Sequence, residues 1–120
     1  FSSRTPHIDN PREIYAALLY MPYKDDQSTG GEFQIHETHD NISEVNKNGG
    51  REVNEKAGKV VKTVPYKANT LVVFCNNSTR CVHSVSARKD AVLHRRSVNI
   101  IAEYNRAAKC SMFEVKENRR

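Results

Sequence analysis

An all-β fold, a sandwich or barrel, is predicted for this chain by three features. Short segments of alternating character are separated by turn signals, no amphipathic helix stands out, and no stretch is repeated. Short strands punctuated in this way are the pattern of antiparallel sandwiches and barrels.

Residues 13–21 form the first clear strand. Ile14, Ala16, Leu18 and Tyr20 share one face, and Tyr15, Ala17, Leu19 and Met21 the other. Both faces are apolar, as in a strand covered on both sides, and Pro11 and Pro22 bound the run. A polar connection over 23–31 closes with the turn signal Gly30-Gly31. Residues 32–37 alternate again, with Phe33 and Ile35 on one face. The polar stretch 38–58, with Asn48-Gly49-Gly50 in its middle, reads as a long mobile loop of the kind that covers a site. A short strand over 59–64, a turn at 65–69, an apolar strand over 70–75 and a turn at 76–79 follow. The strand expected at 80–86 places Cys81, His83 and Val85 on one face. The long strand at 95–104 alternates Arg95, Ser97, Asn99 and Ile101 with Arg96, Val98, Ile100 and Ala102. A last strand is expected near 111–115.

With 120 residues the chain is long enough for one domain with a modest core. The apolar share is 38% and the charged share 28%, the balance of a soluble globular chain. No apolar run approaches the roughly 20 residues of a membrane helix, so no membrane partner is expected. The net charge of +5 comes from scattered basic residues without interleaved aromatics, and nucleic acid is not an indicated partner. Three cysteines, Cys75, Cys81 and Cys110, make no disulfide framework and suit a reducing, cytoplasmic setting. A Cys75–Cys81 pairing across a hairpin is left open by the sequence.

The chemistry-bearing residues are His7-Ile8-Asp9 and a distant His83. Residues two apart on an extended backbone point the same way, so His7 and Asp9 can grip one metal while a later strand brings His83. Two imidazoles and a carboxylate on one face of an octahedron form the facial triad of non-haem Fe(II) oxygenases, with open positions for co-substrate and oxygen. A dicarboxylate chelating that iron needs a cation at its far end. Arg95 offers a planar, permanently charged fork, and Tyr20 a hydroxyl.

Six segments carry a family resemblance. They are His7-Ile8-Asp9-Asn10-Pro11, Leu18-Leu19-Tyr20-Met21-Pro22, Gly30-Gly31-Glu32-Phe33, Asn69-Thr70-Leu71-Val72-Val73-Phe74, Val82-His83-Ser84-Val85 and Arg95-Arg96-Ser97-Val98-Asn99. In order and spacing, over residues 7 to 104, they resemble the prolyl-hydroxylase-like branch of the Fe(II)- and 2-oxoglutarate-dependent oxygenase superfamily. The resemblance implies a double-stranded β-helix, the jelly roll of cupins. It implies His7, Asp9 and His83 as catalytic iron ligands, and Arg95 and Tyr20 as co-substrate contacts, with Arg96 competing for the role of Arg95. It further implies Fe(II), 2-oxoglutarate and O2 as reactants, ascorbate as a supporting reductant, and release of succinate and CO2 as a protein side chain or small molecule is hydroxylated. Relatives carry helices and a further strand before the H-x-D segment, so a single domain over 1–120, with its core at about 5–104, is read as the C-terminal part of a longer parent chain.

Each residue also has a plainer reading. Asp9-Asn10-Pro11 is compatible with a simple turn, and Tyr20 with a core tyrosine whose hydroxyl is satisfied. Asn99 either lines the pocket or satisfies a neighbour. Arg88 is read first as a solvated loop charge, and His36 and His39 as surface residues. The alternative to an enzyme is a non-catalytic cupin-like module that binds metal or a sugar. A nucleic-acid demethylase is a third reading, disfavoured by the missing aromatic-basic surface.

Overall fold

Turn-bounded alternation becomes seven strands in the computed structural model, which describes residues 4–10, 12–37, 53, 57–76 and 81–103. They are β1 (Arg4–His7), β2 (Glu13–Tyr20), β3 (Phe33–His36), β4 (Val60–Val64), β5 (Leu71–Cys75), β6 (His83–Val85) and β7 (Ser97–Glu103). The described residues contain no helix. All pairings are antiparallel, in a four-stranded sheet of order β1-β6-β3-β4 and a three-stranded sheet of order β5-β2-β7. Apart from the β3–β4 hairpin, successive strands alternate between the sheets, the arrangement expected of a jelly roll.

The inward faces follow the period of two. Tyr20 and Phe33, each 1% exposed, join Val72 in a core flanked by Leu18, Ile35, Val64, Tyr66 and Phe74. Burying an aromatic or branched side chain contributes about 1.5–3 kcal/mol, so this cluster clamps one sheet upon the other. A second cluster, Ile8, Val53 and Val82 with Ala57, lies beside the ends of β1 and β6.

Three expectations change. The sequence reading has β2 covered on both sides. Instead, Tyr15, Ala17 and Leu19 stand level with Cys75, Val73 and Leu71 of β5 and with Ala102, Ile100 and Val98 of β7. The β5 members of that outer grid are exposed, with Leu71 at 56% and Val73 at 59%, whereas Ala17 at its centre is buried at 5% and Leu19 and Ala102 are half-buried. The strand through His83 starts at that residue, because the Cys81 carbonyl is engaged by the His83 ring. The last strand starts at Ser97, because the Arg96 N–H is taken by the Tyr66 hydroxyl at 2.7 Å. The strand expected near 111–115, most of the 38–58 loop, His39 and Cys110 lie outside the described residues.

Gly30 and Gly31 form the expected turn, at φ of 79° and 74°, where a side chain is strained. A Cβ at Gly30 would collide with the Ala87 carbonyl. The close approach lets residues 29–31 zip onto 86–89 through backbone bonds between Thr29 and Lys89 and from Gly31 to Ser86. This junction brings Arg88 and Arg95 against the turn.

Candidate metal and co-substrate site

His7 ends β1, His83 opens β6, and the two are register partners in the β1–β6 pair. Asp9 follows two residues after His7. Its Oδ1 stands 3.6 Å from His7 Nε2 and 3.5 Å from His83 Nε2. One ligand atom from each of the three residues falls within 4.8 Å of the others. Both histidines are buried, at 7% and 5% exposure.

Each imidazole is locked by its own backbone. His7 Nδ1 is 2.7 Å from the Thr5 carbonyl, and His83 Nδ1 is 3.0 Å from the Cys81 carbonyl. A carbonyl only accepts, so Nδ1 carries the proton in both rings and each Nε2 lone pair is left for a metal. Ring packing fixes the planes. The His83 ring centroid lies 4.4 Å from that of His7, 5.4 Å from Phe33 and 4.7 Å from Phe74. Burial alone raises the Asp9 pKa, but in the metal-free site rings of His7 and His83 that are protonated at Nε2 as well outweigh it by hydrogen bond and charge, so the carboxyl is held well below the usual range. Asp9 is therefore an anion at neutral pH.

The triad borders a cavity of about 310 Å³ that Phe33, Phe74, Arg95 and Asn99 also line. Arg95 Nε donates to the Gly31 carbonyl at 3.0 Å. Its guanidinium carbon lies 4.9 Å from the ring centroids of both Tyr20 and Tyr66. Arg96 turns away from the cavity. It stacks on Tyr23 at 3.6 Å and donates to the Met21 carbonyl. Tyr20 sits beneath Arg95 rather than on the cavity wall. Burial raises its pKa, and the Arg95 charge opposes that with a smaller effect, so Tyr20 stays protonated as a hydrogen-bond donor. Tyr20 Oη and Arg95 Nη2 are both buried, and among the described residues neither has a hydrogen-bond partner of normal geometry, although the Arg95 side chain also acts on the Tyr20 hydroxyl.

Other expected residues land elsewhere. Arg88, read as a solvated loop charge, is 6% exposed and pairs with Asp26 at 2.6 Å. It also donates to Ser28 and the Leu93 carbonyl, and it does not line the cavity. His36 is not a free surface residue: its ring is 3.0 Å from the Gly58 carbonyl and 2.8 Å from Ser84 Oγ. Cys75 and Cys81 form no disulfide with each other. Asn99 lines the cavity and accepts from Ser97 Oγ at 3.0 Å. Sequence reasoning missed Tyr66, whose hydroxyl accepts from the Arg96 N–H and donates to the Arg96 carbonyl. Its only local signal was an aromatic residue in a turn.

A family model described as the 2OG-Fe(II) oxygenase superfamily matches residues 2–102. The chain belongs to that superfamily, and membership implies an oxygenase that uses Fe(II), 2-oxoglutarate and O2. Neither the curated proteins nor the solved structures gave a significant match. Among the described residues, no helix is long and apolar enough to cross a membrane.

The side chains fit these groups. Two imidazole nitrogens and a carboxylate are the donor set of a non-haem Fe(II) site. An unpaired buried polar group costs about 1–3 kcal/mol. Arg95 Nη2 is such a group, in a residue lining the same cavity as the triad, and a ligand carboxylate is the partner that a guanidinium fork matches.

Proposed function

We propose that this chain is an Fe(II)- and 2-oxoglutarate-dependent dioxygenase that hydroxylates a protein side chain, prolyl-hydroxylase-like, or a small molecule. One oxygen atom of O2 enters the product alcohol and the other enters succinate, as CO2 leaves the co-substrate. Iron held by His7, Asp9 and His83 supplies the oxygen activation. Arg95 binds the far carboxylate of 2-oxoglutarate, and Tyr20 packs beneath the Arg95 guanidinium and supports it. The apolar walls Phe33 and Phe74 keep water from the metal side. The observation that carries this reading is the shared cavity, lined by the three-ligand metal group and by Arg95, a residue that keeps a buried nitrogen without a hydrogen-bond partner among the described residues.

The test is an anaerobic titration with Fe(II) and 2-oxoglutarate, followed by the weak visible charge-transfer band of the chelate, with His83→Ala and Arg95→Ala alongside. The expected band needs His83 and forms at higher co-substrate concentration without Arg95. A folded protein that binds Fe(II) but develops no band with 2-oxoglutarate would instead be a cupin-like binding module.

A further inference from the structure

The three proposed ligands come from two chain segments that little backbone holds in register. β1 and β6 share the paired positions Arg4↔Val85 and His7↔His83, with an irregularity between them. So short and interrupted a ladder specifies register weakly.

The alternation that turns the ligands inward supplies another means. His7 and Asp9 face the cavity, so Ile8 between them turns to the opposite side, and Val82 does the same beside His83. Ile8 and Val82 are both 0% exposed and share one apolar cluster with Val53, at 3%. Val53 comes from the long polar segment expected to cover the site, yet neither it nor Ala57 lines the cavity. The Val53 N–H donates to the carbonyl of Pro6, the residue before His7, at 2.9 Å. Its own carbonyl accepts from Ala57 at 2.8 Å, and Ala57 packs on the same cluster. One residue is therefore wedged behind both ligand-bearing segments and bonded to one of them.

We infer that Val53 is a positioning residue for the metal centre, a buttress that sets the His7–Asp9 segment against His83. The inference rests on the reading of those three residues as metal ligands. A cavity or an oversized side chain at Val53 lets Ile8 slide relative to Val82, and the nitrogen and oxygen donors in front move with them. Packing transmits such shifts because interiors are close-packed.

The experiment is an anaerobic Co(II) titration of the full chain, read from the visible absorption of the bound ion. Val53→Ala and Val53→Leu are compared with Val72→Ala, a truncation in the other apolar cluster, and thermal melts are recorded for each. Both Val53 variants are expected to bind roughly tenfold more weakly, the scale seen when groups supporting a ligand are lost, and to shift the absorption bands. Val72→Ala is expected to keep the wild-type affinity and bands even at an equal loss in melting temperature. If Val53→Ala does not fold, Val53→Leu is judged by the same criteria. Wild-type affinity and bands in a folded Val53→Ala or Val53→Leu overturn the inference, and so does equal weakening in Val72→Ala. A wild-type chain that binds no Co(II) overturns the metal-site reading itself, a separate and recognisable failure.

Discussion

Arg95 Nε donates to the carbonyl of Gly31 at 3.0 Å, across 64 positions of sequence. That bond uses the inner edge of the guanidinium and leaves Nη2 buried without a partner. Gly31 holds φ at 74°, and a Cβ there would stand 3.1 Å from Arg88 Cγ and 3.5 Å from Arg95 Cδ. The turn glycine and the arginine form one device.

Gly31→Ala is therefore expected to weaken 2-oxoglutarate binding by about tenfold, the equivalent of the roughly 1–2 kcal/mol that left-handed backbone costs a side chain. Fe(II) affinity should stay as it was. Isothermal titration with 2-oxoglutarate and with 2-oxobutyrate, which has no far carboxylate, separates the causes. Equal losses for both ligands would mean that Gly31 does not act through Arg95.

Tyr66→Phe keeps the ring against Arg95 but removes the hydroxyl that both accepts from and donates to the Arg96 backbone. These bonds are exposed, so the loss in stability should be about 0.5–1 kcal/mol. Denaturant unfolding at neutral pH measures it. Because Arg96 is the next residue, 2-oxoglutarate affinity should also fall by a few-fold, and a variant indistinguishable from wild type in both assays would remove Tyr66 from the site.

Acid should act on the Asp26–Arg88 pair. The Ser28 hydroxyl and backbone N–H, and then Arg88, hold the Asp26 carboxyl below its ordinary pKa. A depressed folded pKa means that the stabilisation is present above about pH 4, the unfolded value, and is lost as pH falls through the folded one. Asp26→Asn should thus be less stable at neutral pH and lose less stability on acidification. Urea midpoints between about pH 3 and pH 6 test this, and parallel curves for the two proteins would count against it.

Metal should raise the melting temperature, since a ligand that binds only the folded state adds about 2.7 kcal/mol at a hundredfold excess over its dissociation constant. His83→Ala should abolish the rise. Asp9→Asn should reduce it strongly, because the anion between two Nε2 atoms is replaced by a neutral amide. A full thermal shift in both variants would place the ion elsewhere.

Much of this was written in local pattern. Strict alternation drew β2, β3, β5 and β7 to within two residues, and the one-residue gap in His7-Ile8-Asp9 already put both ligands on one side. Alternation also ranked Arg95 with Asn99 and Ile101, three residues that all line the cavity. What escaped depends on partners far along the chain. Arg88 reads as a loop charge until Asp26 and Ser28, 62 and 60 positions away, enclose it. His36 reads as surface until Ser84 and Gly58 take its two nitrogens. Val53 stands between Glu52 and Asn54 in a polar stretch, with no alternating apolar neighbours to betray its burial.

The carbonyls of Thr5 and Cys81 settle the two imidazole tautomers before any ion arrives. A nest so prepared has little means of rejecting the wrong guest. Sites of nitrogen and oxygen donors hold copper, nickel and zinc more tightly than ferrous iron. Which ion occupies the protein is then a matter of supply when the chain folds, and material made in zinc-rich medium should emerge loaded with a tight, redox-silent occupant.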